Sequence, residues 1–274
     1  MEPELASYDV ILVNTSAGKD SQAMLDVIVE RCDESGVPRE RIVCVHADLG
    51  RVEWDGTAEL AEEHAAFYGL RFEKMARPQG DLLDHIEQRG MFPSSAARYC
   101  TSDHKRGQVR KVITALVDER RNKAGWVRNP DGQYEKRAVR ILSCMGFRRQ
   151  ESPARAKKDT FKFDAPASNG KRHVDEWCPI LEWTVEDVWT RIALAGTRHH
   201  PAYDDGMPRL SCSFCVLAGK GALVRAAQLR PELAAEYAAV EARIDHRFRN
   251  DLSMADIIAA AQADEAPEIK DWAA

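Results

Sequence analysis

Six consecutive residues, Ser16-Ala17-Gly18-Lys19-Asp20-Ser21, hold the clearest chemical potential in this sequence. An anion-binding loop needs small side chains so that backbone N–H groups can converge on phosphate, and it gains from the positive end of a helix behind it. The run supplies the small residues, and Lys19 adds an ammonium group. It is shorter than the G-x-x-x-x-G-K-[ST] loop of the familiar nucleoside triphosphatases and is not that motif. Cysteine offers a second chemistry. The chain has seven, an odd number that disfavours a complete disulfide set, and Cys212-Ser213-Phe214-Cys215 is a C-x-x-C pair able to embrace one metal centre.

Regular elements must position these groups. Residues 8–14 read as a buried strand, followed at once by the small-residue loop and by the helical pattern Ala23, Met24, Val27, Ile28. That helix should stop near Gly36. A second strand is expected over 41–47, a helix over 57–68 closed by Gly69, and a third strand over 70–75. Alternation at this spacing demands right-handed crossovers and a mostly parallel sheet, with ligands at the carboxyl ends of its strands. Further on, 103–119 reads as helix and 139–144 as another inner strand, while 122–136 and 154–172 read as loops. Pro231 starts an Ala- and Glu-rich helix to about 247, and Ser253 caps a last one.

With 274 residues and 44% hydrophobic content the chain can bury a sizeable core, which excludes a small disulfide scaffold. The first nine residues are acidic and lack a signal-like apolar stretch, and no run has the length to cross a bilayer. A cytoplasmic protein with no membrane partner is expected, its cysteines free, catalytic or metal-bound. The net charge of −5 conceals an asymmetry: residues 98–172 carry 20 Lys and Arg against 8 Asp and Glu, a local +12 that leaves −17 for the rest. A basic middle on an acidic frame suits a phosphate-rich ligand, a nucleotide or a nucleic acid; a solvated loop would show the same composition.

The loop resembles the S-G-G-K-D-S pyrophosphatase loop of the phosphoadenosine phosphosulfate reductase superfamily, with Ala17 in place of one glycine. Three further segments share the resemblance. His46-Ala47-Asp48-Leu49-Gly50 with Glu53 is similar to the D-x-G segment beside the adenosine, and Gly146-Phe147-Arg148-Arg149-Gln150-Glu151-Ser152-Pro153-Ala154-Arg155 to the G-x-R-x-x-E-S-x-x-R element at the mouth of the nucleotide site. The third, Pro179-Ile180-Leu181-Glu182-Trp183-Thr184-Val185-Glu186-Asp187-Val188-Trp189, resembles P-I-x-x-W-x-x-x-D-V-W and continues into His200-Pro201-Ala202-Tyr203-Asp204. Trp183 and Trp189 read as core aromatics.

The resemblance runs from about residue 8 to 217. It implies a Rossmann-like, doubly wound α/β fold of the adenine nucleotide alpha-hydrolase type, divided here into a nucleotide-binding domain (1–195) and a C-x-x-C segment with helical extension (196–274). It further implies a site for ATP with Mg²⁺: Ser16, Ala17, Gly18, Lys19, Asp20 and Ser21 hold the outgoing pyrophosphate, Asp48 places metal or ribose, and Gly146, Arg148, Glu151, Ser152 and Arg155 complete the mouth. Lys19, Asp20 and Asp48 are the implied catalytic set.

Cys100, Cys212 and Cys215 match the places where iron–sulfur members of the superfamily hold a 4Fe-4S cluster. Those members show adjacent cysteines where this chain has Tyr99-Cys100, so Cys144, Cys178 or an external ligand must fill the fourth position. Cys144 is the residue assigned; zinc on the same thiolates ranks second and three metal-free cysteines third. Cys32 and Cys44 read as packing residues. Reductase chemistry in the family uses a nucleophilic cysteine near the C-terminus, and no cysteine follows Cys215 here. The Arg-Tyr-Cys-Thr element with C-x-x-C instead looks most like the ATP-pyrophosphatase subunit of bacterial DNA phosphorothioation systems (Dnd or Ssp type). By that resemblance ATP adenylates a DNA backbone phosphate oxygen and a cysteine desulfurase partner delivers sulfur. The alternatives are tRNA thiolation, sulfonucleotide reduction and a non-catalytic nucleotide-sensing subunit.

Overall fold

The computed structural model describes residues 2–122, 125–128, 133–263 and 269. The first apolar run forms β1 (Val10–Thr15), whose leading four residues are fully buried because helices cover both faces of the sheet. The chain turns through the phosphate loop into α1 (Lys19–Glu34), then passes through β2 (Ile42–Asp48) and α2 (Thr57–Phe67) to β3 (Arg71–Ala76). α3 (Leu82–Arg89) starts at Asp81, which exchanges capping hydrogen bonds with Asp84. A short turn, α4 (Tyr99–Thr101), leads through a π-helical turn (Ser102–Arg106) into α5 (Gly107–Arg121). A hairpin of β4 (Trp126–Arg128) and β5 (Tyr134–Lys136) follows, then β6 (Val139–Met145), the short helix α6 (Pro153–Ala156), β7 (Phe161–Phe163) and β8 (Arg172–Trp177). The remaining helices are α7 (Val185–Ala195), α8 (Lys220–Leu229), α9 (Pro231–Ile244) and α10 (Met254–Gln262), with Ser253 capping the last as expected.

The six-stranded sheet has the order β3-β2-β1-β6-β8-β7, parallel throughout except for the β7–β8 pair. The chain moves outward one way from β1 to β3 and the other way from β6 to β8. The strand order therefore reverses between β1 and β6, and the crevice at their carboxyl ends is where such sheets bind ligands. Both the phosphate loop and the segment after β6 open from that crevice. α1 and α7 cover one face of the sheet and α5 the other. α8, α9 and α10 form a separate apolar cluster with α3, Trp54 and Phe214. Among the described residues no helix is long and apolar enough to cross a membrane.

The expected strands shift by one or two residues. Two segments expected to be loops contain more: 122–136 holds the β4–β5 hairpin, and 154–172 holds α6 and β7. β8 itself escapes the sequence reading because Arg-His-Val-Asp-Glu-Trp is largely charged. Its inward carboxylate, Asp175, is buried yet satisfied, accepting the Tyr8 hydroxyl at 2.7 Å.

The helix expected over 103–119 begins instead with the π turn, which places His104 against α3. His85 Nδ1 and His104 Nε2 lie 3.0 Å apart and both rings are buried. One nitrogen must donate and the other accept, so the two rings cannot both be imidazolium. Burial, and then the neighbouring His85, push the His104 pKa down to about 4; burial also lowers that of His85. A histidine with a depressed folded pKa contributes stability above its unfolded pKa and loses it as pH falls toward the folded value. Stability measured by urea denaturation is therefore expected to drop by about 3 kcal/mol between pH 6.5 and 4, and a His85→Phe/His104→Leu double variant should flatten that slope. An unchanged slope in the variant would show that the pair does not titrate this way.

Candidate active site

β1 delivers Thr15 to the carboxyl edge of the sheet, where the backbone turns sharply and Ala17 adopts φ +54°. A Cβ in that region costs roughly 1–2 kcal/mol, and burial against Leu60, Ala61 and Leu210 holds it there. Ser21 closes the loop, its hydroxyl accepting from the Ser16 N–H at 3.1 Å and donating to the Gly18 carbonyl at 2.9 Å. Lys19 is buried at the start of α1. Its N–H donates to the Tyr203 hydroxyl and its Nζ to the Pro208 carbonyl, each at 2.8 Å, with Nζ 5.4 Å from the Tyr203 ring centre. Residues 203–210 thus strap the loop, presenting neutral oxygens to its donors.

The segment after β6 packs against the same helix start. A Cβ at Gly146 would lie 2.9 Å from the Asp20 carbonyl oxygen and 3.0 Å from Ser21 Cα, so only glycine fits without a shift. Arg148 is buried and paired through Nε with the Asp20 carboxylate, while its own N–H donates to Glu151 at 2.9 Å. Glu151, also buried, pairs with Arg155 and with Arg209, the latter at 2.7 Å. Ser152 caps α6 by accepting the Arg155 N–H at 3.2 Å. The residues of the G-x-R-x-x-E-S-x-x-R pattern are therefore brought together, with Arg148 and Arg155 paired to protein carboxylates.

At the end of β2, His46 is buried with Nδ1 3.2 Å from the Thr15 carbonyl and Nε2 3.1 Å from Glu53. Burial alone would lower its pKa, but the hydrogen bond and charge of Glu53 outweigh it and the pKa rises. Both partners are acceptors, which favours the doubly donating imidazolium. Asp48 accepts the Gly50 N–H at 2.7 Å. Gly50 has φ +76° and a Cβ there would meet Asp81 Cβ at 2.3 Å. In the structure Asp48 shapes this turn.

The thiols of Cys100, Cys212 and Cys215 are half-buried on the cluster formed with Phe214 and Tyr237. Burial raises the Cys212 and Cys215 thiol pKa values, opposed by the charge of Lys105. Desolvation would lower the Lys105 pKa, yet Cys212, Glu53, Cys215 and Cys100 together raise it. Lys105 itself is exposed, and its charge acts on the Cys212 and Cys215 thiols. His46 thus joins the Thr15 carbonyl to Glu53, and the adjacent Val52 carbonyl accepts the N–H of Ser213, between Cys212 and Cys215, at 2.9 Å. Arg209, Glu151, Arg148 and Asp20 form a second chain of ion pairs and hydrogen bonds.

Cys144, assigned above as the fourth ligand, is not part of this group. β6 points it into the core beneath α1, where it is fully buried beside Cys32, Cys44 and Cys178. Burial pushes the thiols of those three neighbours up to about 12 and Cys144 well above its ordinary value, as expected of inert apolar packing. Among the described residues, no three His, Cys, Asp or Glu side chains close around a single metal ion. A cluster, in which each iron takes its own thiolate, tolerates wider spacing than zinc. Cys100, Cys212 and Cys215 border one apolar cluster, and thiolates are the donor set an iron–sulfur cluster takes.

Three contributors escaped the sequence reading: Lys105, Arg209 and the role of Tyr203. Lys105 had a faint signal, lying five residues past Cys100 at the start of a helix; Arg209 had none.

A small-residue loop at the reversal point of a mostly parallel sheet is the arrangement of a doubly wound α/β protein that binds its ligand at the strands' carboxyl ends. The comparisons narrow this further. The model for the phosphoadenosine phosphosulfate reductase domain matches residues 10–218, and the chain belongs to that family. An uncharacterized 37.8 kDa protein of Escherichia phage 186 is 31% identical over 174 residues, 63% of this chain and 46% of that protein, so the chain spans less than half its relative's length. The adenosine 5'-phosphosulfate reductase of Anoxybacillus flavithermus is 25% identical over 207 residues, covering 76% of this chain and 73% of the reductase. Among solved structures, the U34-tRNA thiolase NcsA from Methanococcus maripaludis, with its [4Fe-4S] cluster, matches with a TM-score of 0.47 at 14% identity over 96% of this chain and 74% of that one.

The closeness of Gly146 to α1 is testable. Gly146→Ala should lower stability by about 1–3 kcal/mol through overpacking and weaken ATP binding, read by thermal denaturation with and without MgATP. Unchanged melting temperature and unchanged ligand shift would mean that the two segments do not meet as described.

Proposed function

We propose that this chain is an ATP pyrophosphatase that adenylates a nucleic-acid oxygen for replacement by sulfur, the DNA backbone phosphate being the leading substrate. The observation that carries this reading is the nearness of two chemistries at one end of the sheet. His46 connects Thr15, at the start of the loop, to Glu53, and Val52 beside it accepts the N–H of Ser213 between two of the three thiols. Sulfonucleotide reduction, the activity named for several relatives, is the second reading, supported by the family match.

With MgATP in the crevice, Lys19 and the loop N–H groups would hold the β- and γ-phosphates against the positive end of α1. The substrate oxygen attacks the α-phosphorus, pyrophosphate leaves, and the adenylated oxygen becomes a leaving group that a sulfur nucleophile displaces as AMP. Catalysis of the first step is positioning plus charge stabilisation. Asp20 and Glu151 hold Arg148, Arg155 and Arg209 at the mouth, and Asp48 sets the turn beside which the adenosine would lie. A 4Fe-4S cluster on Cys100, Cys212 and Cys215 would supply a thiophilic iron site for sulfur. Lys105 would balance the negative charge of those thiolates. The excess of basic residues over 98–172 supports a polyanionic substrate, and a cysteine desulfurase is the proposed sulfur donor.

Purified protein with MgATP and DNA is expected to release AMP and pyrophosphate, and Lys19→Ala should slow this by about 10²–10³-fold. Sulfite release from an adenylyl sulfate, without pyrophosphate release from ATP, would replace this reading by reduction. ATP binding without turnover, even with nucleic acid and a sulfur donor, would replace it by sensing.

The thiol site has its own test. Anaerobically prepared protein is expected to be brown and to carry iron, which Cys212→Ser removes while Cys144→Ser does not. Colourless protein free of iron would remove the cluster from the proposal and leave the loop chemistry standing.

A further inference from the structure

The β4–β5 hairpin stands at the amino-terminal pole of the sheet. Arg137 anchors it there, pairing with Asp9 just ahead of β1 at 2.6 Å and donating its backbone N–H to the Gly125 carbonyl at 3.0 Å. In the antiparallel register Trp126 faces Lys136, and Arg128 faces Tyr134. Directly opposed residues project to the same side of a ribbon, as do residues two apart along a strand. One face therefore interleaves two aromatic rings with two cations. Trp126 is 65% exposed and Tyr134 74%, so neither ring is used by the fold's own core.

A row of basic groups leads from the thiol cleft to that face. α5 starts beside Lys105 and runs toward the hairpin for about 22 Å at 1.5 Å per residue. Arg106 and Arg110 lie one turn apart on its exposed side. One turn further, Thr114 accepts a hydrogen bond from Arg172 at 2.8 Å. Burial and the adjacent charge of Arg110 both act against the Arg172 cation. Cations held side by side in this way favour a bound anion between them.

We infer that the α5 row and the hairpin face form a track for one strand of nucleic acid, with Arg106, Arg110 and Arg172 holding phosphates and Trp126 and Tyr134 stacking on unpaired bases. This rests on the nucleic-acid reading above and adds that the bound strand is unpaired where it meets the hairpin. Alternating rings and cations suit that ligand because every base has a stackable face and every linkage a charge, whereas a duplex hides its base faces. The track ends a strand's length from the phosphate loop, so it grips flanking nucleotides and takes no part in the chemistry.

The test is fluorescence anisotropy of the full chain with a labelled single-stranded oligonucleotide and with its duplex, at several salt concentrations. Trp126→Ala combined with Tyr134→Ala is expected to weaken single-strand binding at least about tenfold, the scale of lost base stacking, with little change for duplex. Arg110→Ala should reduce the single-strand salt slope by about 0.7. Phe67→Ala removes a ring 59% exposed on α2 and serves as the control, expected to leave affinity unchanged. Undiminished single-strand affinity in the double variant, or an equal loss on duplex, overturns the inference. So does dissociation of a dimer by the double variant with nucleic-acid affinity intact, which would make the hairpin a self-association face. If single-stranded nucleic acid at concentrations below the parent's Kd stimulates ATP cleavage equally in parent and double variant, this inference fails alone. If the parent binds neither strand nor duplex, the nucleic-acid reading fails and takes this inference with it.

Discussion

The site depends on keeping cations in place at a crevice where water is largely excluded. Lys19 and Arg148 are both buried, and a buried charge persists only if it is paired or hydrogen-bonded. Arg148 is balanced by Asp20, one residue past Lys19, so the first turn of α1 also carries the carboxylate that locks the neighbouring segment. Glu151 repeats the device with Arg155 and Arg209. Because each carboxylate is shared between segments far apart in sequence, the loop, the stretch after β6 and the strap after α7 are fixed to one another before any ligand arrives.

That coupling explains what the sequence made legible. Strand, loop and helix follow from local patterns: four buried residues in β1, small residues next, then a 3.6-residue periodicity. The order of the sheet follows from the handedness of the crossovers, and the crevice follows from the order. Ala17, in place of a glycine, holds a left-handed backbone inside a packed pocket, a strain that local sequence does not announce. What else escaped was long-range. Nothing local announces that Arg209 will reach Glu151, that Tyr203 will accept the Lys19 N–H, or that Val52 will accept the N–H of Ser213. β8 escaped for a related reason, since its charged residues are compensated by partners such as Tyr8, 167 residues away.

The seven cysteines separate by environment and not by spacing. Cys32, Cys44 and Cys144 lie fully buried in the core beneath α1, and Cys178 is fully buried as well. Cys100, Cys212 and Cys215 are only half-buried, on the separate cluster formed with Phe214 and Tyr237. Burial raises the Cys212 and Cys215 thiols too, so accessibility and not thiolate character sets this second group apart. The assignment of Cys144 failed because sequence shows a cysteine at a strand's end but not which face of the strand it occupies.

The strap over the loop has a consistent electrostatic logic. Tyr203 and Pro208 offer Lys19 neutral oxygens, which help keep a buried cation hydrogen-bonded. A phosphate in the same position would replace neutral acceptors by anionic ones, and charge-assisted hydrogen bonds are roughly twice as strong as neutral ones. On the proposed function, the donors are held in a binding geometry by partners that an anion would outcompete. This is how a site stays preorganised without collapsing on its own charge.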